Sequence, residues 1–453
     1  MRKAAIISLV LLVGVAVAAP VLWSRRPVDP AVRGKMLSAW IVELTSSDYR
    51  VREEAEDALR SAATAAVPQL ILGLRKRDFP LQRTVMAMAR RIRGVNLKLV
   101  ESALVREQAA RVLGELGMAA RPAVPELITA LKDRDPEVRL EVERSLRRVG
   151  PYAVSPLIGA LSRKDPLIRA GAARVLRDFG PAAKEAVPVL ISRLRDPDAR
   201  VRCQVAGALG AVGVADESVP DALTTALGDR DPEVRAAAAG SLGRLGTLAR
   251  SALDSLRWVL LDTFASVRVE AAKAIWRIER EAQAVLPALV ELLKDRNVGW
   301  QAAFVLGEIG AQAAVAVPAL VESLKQEQVP RPLRTPPSAA LALGKIGAAA
   351  VPHLIETLKD SRPSVRTSAV IALGLAGEEA RTAVPILFDL LQDNNAEVRS
   401  AAALSLGAID SANKALVPVL KVLSREEDIY ISSAAISALR RIDPAAAAEI
   451  GPE

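Results

Sequence analysis

One phrase recurs along the chain and limits its fold more than any other feature. DPEVRAAAAGSLGRLG occupies residues 231–246, and DPEVRLEVERSLRRVG occupies residues 135–150. Self-similarity at a period of roughly 20–50 residues indicates a repeat architecture rather than one compact core. Alignment on the arginine of this phrase gives equivalent positions that are mostly 30–33 residues apart. They are Arg52, Arg83, Arg106, Arg139, Arg169, Arg202, Arg235, Arg268, Gly299, Pro336, Arg366, Arg399 and Ser432.

Each repeat has the pattern of two helices. An apolar run that opens with proline, such as VPELITALKD at 124–133, has Leu and Ile at helical spacing. A turn with Asp or Asp-Pro follows, as at Asp135 and Pro136. Asp is a good helix N-cap, and Pro is tolerated in the first turn because its missing N–H has no partner there. The next run reads VRxxAAxxLGxxG and ends at glycine, a common helix stop.

These motifs resemble those of the HEAT repeat family, most closely its short phycobilisome-lyase-type subclass. The resemblance covers residues 36–443 and rests on DPEVR followed by AAxxLGxxG. It implies an all-α, right-handed α-solenoid of about 12–13 helical hairpins after an N-terminal apolar leader helix. It also implies that the aligned arginines form a structural ladder with aspartates of neighbouring units. Two regions depart from regular spacing: residues 83–106, where the unit of Arg106 is expected to lack a first helix, and the insertion at 328–338.

The net charge of +9 arises from the N-terminal part of the chain. Residues 1–100 hold 17 Lys and Arg against 8 Asp and Glu, and the remaining residues hold 44 of each. Arg2 and Lys3 precede an apolar run from Ala4 to Trp23, which includes the small-x-small sequence Ala16-Val17-Ala18. Residues 1–26 are therefore predicted to be a cleaved signal peptide or a retained transmembrane anchor.

Both alternatives export the rest of the chain, because the positive end stays in the cytoplasm. The protein is expected to be bacterial, and either anchored in the inner membrane with its solenoid outside the cytoplasm or periplasmic or secreted. Residues 27–35 are predicted to be a linker and residues 444–453 a C-terminal tail.

The resemblance places the second helices along the concave surface of the solenoid. Counted from the aligned residue as zero, positions 3, 7 and 10 are apolar core positions, and positions 1, 5 and 8 point to the opposite side. We therefore expect positions 1, 5 and 8 to line a groove. The basic groove residues are predicted to be Arg111, Arg144, Arg147, Arg174 and Arg177. The apolar groove residues are predicted to be Val269, Trp276, Trp300, Phe304, Leu341, Ile371 and Leu404.

These two sets of residues suggest different partners. A row of exposed apolar side chains is typical of a site for an amphipathic helix or an extended peptide. The arginines would suit an acidic peptide, a nucleic acid or another anionic polymer. The alternative is that superhelical curvature buries the apolar residues and that Glu107, Glu141 and Glu143 balance the arginines.

The sequence offers little for catalysis. Cys203 is the only cysteine and His353 the only histidine, so an intramolecular disulfide is impossible. Deoxyhypusine hydroxylase, a HEAT-repeat enzyme, binds iron through His-Glu pairs, but His353 is followed by Leu354. No catalytic residue, metal ligand or cofactor is predicted.

The sequence thus favours a non-enzymatic scaffold for a protein or peptide partner, exported or tethered to the membrane. Two alternatives remain open at this point. One is an enzymatic or chromophore-binding role related to the phycobilin lyases, and the other is binding of nucleic acid or another anionic polymer.

Overall fold

The computed structural model describes residues 29–77, 102–213, 216–326 and 336–450. The chain forms two compact units, Met1–Leu190 and Ile191–Glu453. The predicted leader, the aligned Arg83 and most of the 328–338 insertion lie outside the described residues, so these predictions stay predictions.

The first unit consists of helical hairpins preceded by two short strands. Its elements are β1 (Ala31–Val32), β2 (Lys35–Met36), α1 (Leu37–Glu43), α2 (Tyr49–Ala62), α3 (Val67–Leu74), α4 (Ser102–Glu115), α5 (Val124–Ala130), α6 (Pro136–Val149), α7 (Val154–Ala160) and α8 (Pro166–Phe179). Helix α9 (Val187–Arg193) contains the boundary between the two units.

The second unit continues the same alternation of helices. Its elements are α10 (Ala199–Val212), α11 (Ser218–Ala226), α12 (Pro232–Leu245), α13 (Leu253–Val259), α14 (Ala265–Glu279), α15 (Leu286–Leu292), α16 (Gly299–Ile309), α17 (Val317–Gln326), α18 (Ser338–Ile346), α19 (Val351–Thr357), α20 (Pro363–Ala376), α21 (Val384–Asp389), α22 (Ala396–Ile409), α23 (Val417–Leu423), α24 (Ile429–Ile442) and α25 (Pro444–Ala448). Odd-numbered helices up to α23 are first helices and even-numbered helices are second helices. The described residues therefore contain twelve hairpins, and the predicted all-α solenoid class is confirmed.

The ends of the second helices follow the repeated phrase. At α6, the Asp135 carboxylate accepts a hydrogen bond from the backbone N–H of Glu137 at 2.9 Å, and Pro136 occupies the first turn. The helix ends at Gly150, whose φ of +89° is a conformation that glycine adopts without a steric penalty. Short 3₁₀ segments, such as Pro151–Ala153, then lead into the next first helix.

The predicted ladder is present and explains why the arginine recurs. The Arg235 guanidinium donates to both carboxylate oxygens of Asp262 in the next hairpin, at 2.7 and 2.9 Å. Its Nη1 also donates to the backbone carbonyl of Asp229 at 2.8 Å. One side chain thus links its own turn to the following one. The same bidentate pairing joins Arg106 to Asp133, Arg202 to Asp229, and Arg366 to Asp393.

The hairpin of Arg106 has a first helix after all. Helix α3 packs against α4, and Arg106 Nη1 donates to the backbone carbonyl of Lys76, just after α3, at 3.0 Å. This contact is the counterpart of the one between Arg235 and Asp229. The expectation that this unit lacks a first helix is wrong. Its first helix is α3, which ends at Leu74, whereas α4 begins at Ser102. Residues 78–101, between the two helices, lie outside the described ranges.

Both ends of the repeat array differ from the prediction. Strands β1 and β2 form an antiparallel hairpin, and the Trp40 indole N–H donates to the Val32 carbonyl at 2.9 Å. Residues 31–36 thus pack against the first helical hairpin, α1 and α2, whereas residues 27–35 were predicted to be a linker. At the other end, Asp443 caps α25, whose Ala446 and Ala447 are buried. The predicted tail therefore includes a short helix that packs against α24, as a capping element does in a repeat protein.

Two stretches of the described chain are apolar enough and long enough to cross a membrane, Gly299–Gln326 and Ser338–Thr357. Each consists of a second helix, a 3₁₀ segment and the following first helix. About half of each stretch is buried inside the protein. Packing between hairpins is therefore a sufficient reason for their apolar composition.

Candidate functional site

The orientation of the second helices is set by close contacts at position 8 of the repeat. Gly210 on α10 approaches Ser241 on α12 so closely that an added Cβ would lie 2.5 Å from the serine Cβ. The Ser241 hydroxyl donates to the Ala206 carbonyl at 2.8 Å, which ties the two helices together. Gly374 and Ser405 repeat this contact between α20 and α22. Position 8 therefore faces the next second helix, although Gly374 also lines the edge of a groove.

The exposed side of α20 and α22 is centred near positions 5 and 9. On these helices, positions 5 and 9 are Ile371, Leu375, Leu404 and Ala408, and all four line one groove. We call this exposed side the second-helix face. The prediction placed position 8 on this side in place of position 9, which points about 100° further around the helix.

Five second helices carry a large residue at position 8, where the other second helices carry glycine. These residues are Arg60 on α2, Arg147 on α6, Arg177 on α8, Trp276 on α14 and Arg440 on α24. Helices α6 and α8, and likewise α14 and α16, contact each other far less extensively than glycine-spaced neighbours such as α12 and α14. A large side chain at position 8 prevents close approach of the helix backbones, so Arg147 and Trp276 locally change the helix spacing.

The predicted apolar residues fall into two groups. Val269 is 1% exposed and Trp276 is 5% exposed, so the prediction that they line an open groove is wrong. Trp300 and Phe304 on α16 are 58% and 48% exposed, and Leu404 on α22 is 46% exposed. Leu341 and Ile371 are half-buried. Phe304, Leu341, Ile371 and Leu404 all occupy position 5, so they form one row on consecutive second helices.

The clearest cavity of the described residues lies on the second-helix face of α20, α22 and α24. It has a volume of about 830 Å³, and we call it the apolar groove. Ile371, Leu375, Leu404 and Tyr430 contribute its large apolar side chains. Leu375 and Tyr430 were missed by the sequence analysis. Leu375 occupies position 9, and Tyr430 precedes the aligned Ser432, so a correct helix rotation would have identified the first but not the second.

The rim of the apolar groove is polar. Ser433 and Ser437 on α24 line it, and Arg441 lies at its C-terminal end and is exposed. The Ser400 hydroxyl donates to the Tyr430 carbonyl at 3.1 Å, which connects α22 with the start of α24. An apolar floor with a few hydroxyl groups, the carboxylates of Glu397 and Asp428 and one cation is suited to non-covalent binding.

The predicted basic residues are largely neutralised by carboxylates. Arg111 pairs with Glu56 and Glu115, Arg144 with Glu141 at 3.1 Å, Arg147 with Asp178 at 3.4 Å, Arg174 with Glu143 at 2.7 Å, and Arg177 with Asp178 at 3.5 Å. The alternative in which acidic neighbours balance these arginines thus describes the structure better. A small open cavity of about 290 Å³ is lined by Arg144, Arg147 and Arg148. Arg148 lies 3.8 Å from Glu141, which also pairs with Arg144.

Carboxylates in this region have altered acidities. Burial raises the pKa of Glu107, and the nearby carboxylates of Glu141, Glu137 and Asp135 raise it further. Burial likewise raises the pKa of Glu143, against the opposing effect of Arg174. Both raised pKa values thus result first from burial of the carboxyl group and then from neighbouring charged groups.

The two residues considered for chemistry have unremarkable surroundings. His353 is exposed on the first helix α19. Cys203 on α10 is half-buried. Among the described residues, no three potential metal-binding side chains come together.

Comparison with known families identifies the repeat. The description "HEAT repeats" matches residues 95–161, 124–195, 154–243, 187–263, 253–335 and 351–440. Together these matches cover 95–335 and 351–440, which is well over half of the chain. The description "PBS lyase HEAT-like repeat" matches residues 338–360. No curated protein matches this chain.

Solved structures share the architecture at low sequence identity. The yeast importin-β Kap95p is 14% identical with a TM-score of 0.57, and the alignment covers 91% of this chain and 62% of Kap95p. The chain thus spans less than two thirds of the importin. The Escherichia coli protein YibA is 23% identical with a TM-score of 0.36, over 64% of this chain and 91% of YibA. At such identities, the similarity to Kap95p concerns the fold alone.

Proposed function

This chain belongs to the HEAT-repeat family, and from that premise we propose that it is a non-enzymatic scaffold that binds a protein or peptide partner. The observation that carries the proposal is the apolar groove across α20, α22 and α24. Solvent-exposed leucines at consecutive position-5 and position-9 sites are costly to leave in water and are typical of interaction surfaces.

The shape and chemistry of the groove favour a segment with apolar anchors. Its volume of about 830 Å³ accommodates several side chains of a bound peptide. Leu375 and Leu404 are 47% and 46% exposed, so a bound segment would remove a substantial apolar area of each side chain from water. Ser433 and Ser437 offer hydroxyls to a peptide backbone, and Arg441 offers a cation to an acidic residue at one end.

The row of position-5 residues extends the proposed surface beyond the groove. Phe304 and Leu341 continue it onto α16 and α18, and Trp300 lies one helical turn before Phe304. The Lys345 ammonium lies 5.6 Å from the Phe304 ring centroid, which leaves much of the ring exposed. We therefore propose the apolar groove as the main contact and Trp300 and Phe304 as secondary anchors.

We further propose that the protein is exported and either tethered by residues 1–26 or released after their cleavage. The charged start, the apolar run and the small-x-small sequence support this proposal. A fusion of alkaline phosphatase to the C-terminus should be active in a bacterial host, since this reporter requires an oxidising compartment. An inactive but stable fusion would contradict export.

The partner proposal is tested by photocrosslinking at single positions. A photoreactive amino acid at position 404 should capture a defined partner from envelope fractions, and Leu375→Glu should abolish that product. The matched control position is Val315, which is 71% exposed in the same unit but does not line the groove.

Two results decide the outcome. A product at position 404 that is absent at 315, and that persists with the purified partner, supports binding in the groove. Equal products at both positions, or an unchanged product in a folded Leu375→Glu variant, would contradict it. Val315→Glu should leave the yield at position 404 unchanged.

A further inference from the structure

Three large apolar side chains project from the turn between α13 and α14. Trp258 and Leu261 are each 77% exposed and Phe264 is 50% exposed. We call these three residues the turn patch. They lie on first-helix and turn positions and do not line the apolar groove.

Five other hairpins place polar residues or glycine at the three equivalent positions, whereas the hairpins of α2 and α24 have Val42 and Val422 at the position of Trp258. The corresponding triplets are Thr129, Lys132 and Asp135; Ser192, Arg195 and Asp198; Thr225, Gly228 and Asp231; Glu356, Lys359 and Arg362; and Asp389, Gln392 and Asn395. The repeat fold therefore does not require apolar residues here. The Phe264 ring centroid lies 5.8 Å from the Arg235 guanidinium, but packing does not explain Trp258 and Leu261, which are among the most exposed large apolar side chains of the described residues.

The turn patch also replaces a stabilising contact. Asp135 and Asp231 cap their helices through side-chain hydrogen bonds, whereas Phe264 at the same position gives α14 no side-chain cap. Loss of a capping oxygen weakens a helix start. Phe264 takes the place of a capping residue, and yet half of its side chain stays exposed to solvent. This combination indicates a contact outside the chain.

Exposed cations of the neighbouring turns border the turn patch. The turns of the flanking hairpins expose Arg230 on one side and Lys294 and Arg296 on the other. The aspartates of these three turns are half-buried and accept hydrogen bonds: Asp229 from Arg202, Asp231 from the Glu233 N–H, Asp262 from Arg235, and Asp295 from the Asn297 N–H. Two exposed carboxylates lie on the first helices beside the patch, Asp254 paired with Arg257 and Glu291 at 4.0 Å from Arg268.

We infer that the turn patch inserts into the interfacial region of a membrane that contains anionic lipids. Projecting Trp, Leu and Phe side chains fit the boundary between headgroups and acyl chains, and flanking Arg and Lys attract anionic headgroups. A projecting tip suits a lipid surface, whereas partner recognition in this protein is proposed for a groove. The inference is independent of the proposed function and of residues 1–26.

The test measures the fluorescence of a probe attached to the turn itself, so that membrane contact elsewhere in the protein does not change the signal. A nitrobenzoxadiazole probe is attached to Thr263→Cys in the full chain with Cys203→Ala. The matched control is Arg134→Cys, the equivalent position in the turn between α5 and α6. Both proteins are mixed with vesicles of phosphatidylethanolamine and phosphatidylglycerol that carry a doxyl-labelled lipid.

The probe at position 263 should shift to the blue and be quenched by the doxyl lipid, while the probe at 134 stays unchanged. Lys294→Glu and Arg296→Glu should each weaken the response by at least about fivefold at low salt. Trp258→Thr with Leu261→Lys and Phe264→Asp, which copies the α5–α6 turn, should abolish it. That variant is expected to melt no lower than the parent because it regains a capping carboxylate.

Several outcomes would overturn the inference. They are an unchanged probe at 263, an equal response at 134, or a response that survives the triple substitution. A probe at 263 that ignores vesicles but is shielded by a membrane-free protein fraction would instead assign the patch to a protein partner.

Discussion

At the residue scale, the arginine ladder stabilises the contact between successive hairpins. Arg235 and Asp262 are 14% and 10% exposed at their side chains, and the pair forms two hydrogen bonds. Arg235→Ala leaves the carboxylate and the Asp229 carbonyl without these donors. We expect a loss of about 2–3 kcal/mol in the free energy of unfolding, measured by denaturant titration at neutral pH.

An exposed ion pair provides the control for this measurement. Arg200 pairs with Asp198 at 2.8 Å, but its side chain is 66% exposed. Arg200→Ala should cost less than about 1 kcal/mol because water screens such pairs. Equal losses for Arg200→Ala and Arg235→Ala would show that the ladder has no special weight.

Acid should remove the ladder contribution. The hydrogen bond from Arg235 holds the pKa of Asp262 below its usual value. A lowered folded-state pKa stabilises the protein above the ordinary aspartate pKa, and this stabilisation is lost as the pH falls through the lowered value. The difference between wild type and Arg235→Ala should therefore be constant near neutrality and shrink below about pH 4. A difference that does not change with pH would contradict the assignment.

Glu107 should show the opposite behaviour. Burial and neighbouring carboxylates raise its pKa, so its ionised form destabilises the folded state. Glu107→Gln should raise the melting temperature at pH 7, and the gain should fade as the pH falls through the raised pKa toward the ordinary glutamate value. Calorimetry across this range checks the sign; a gain that grows in acid would contradict it.

At the element scale, glycine at position 8 sets the distance between second helices. Gly210→Ala would place a methyl group 2.5 Å from the Ser241 Cβ and 2.8 Å from its backbone Cα. The helices must then separate, and we expect a loss of about 1–3 kcal/mol in the free energy of unfolding. Denaturant titration measures it.

Gly159 is the matched control for this substitution. It lies within α7, and an added Cβ would meet nothing within 4 Å. Gly159→Ala should stabilise the protein by about 0.5–1 kcal/mol, since alanine loses less backbone freedom in a helix. Stabilisation by both substitutions would mean that helix propensity, rather than spacing, dominates at Gly210.

The same contacts explain why the site was only partly predictable. Periodicity within one helix correctly identified the core positions and placed position 5, including Phe304 and Leu404, on the exposed side. It could not fix how far each helix turns against its neighbour. That rotation depends on pairs such as Gly374 and Ser405, which lie in different repeats, so the helix contact made by glycine at position 8 was missed and Trp276 was expected to be exposed.

At the scale of the whole molecule, the repeat phrase was sufficient for the fold class but not for its ends and interruptions. The pairing of α3 with α4 spans an interval of irregular repeat spacing, and the packing of the two helices together with the contact between Arg106 and the Lys76 carbonyl makes it evident. The β-hairpin at residues 31–36 and helix α25 cover the ends of the array. Neither carries the repeat phrase, so alignment on that phrase had no means of finding them.

A stack of hairpins also predicts that damage stays local. Each hairpin contacts mainly its neighbours, so stability should vary along the chain rather than belong to one core. Leu439→Ala removes a fully buried side chain from α24 and should cost about 2–5 kcal/mol there. Hydrogen exchange should accelerate strongly in α23–α25, less in α20–α22, and not at all in α1–α4.

The reciprocal substitution makes this prediction sharp. Leu59 on α2 is equally buried, so Leu59→Ala should accelerate exchange in α1–α4 and leave α23–α25 protected. The two exchange maps should thus be mirror images along the chain. Uniform acceleration by either substitution would mean that the array unfolds as a single cooperative body, because only then does a cavity at one end lower the opening free energy at the other.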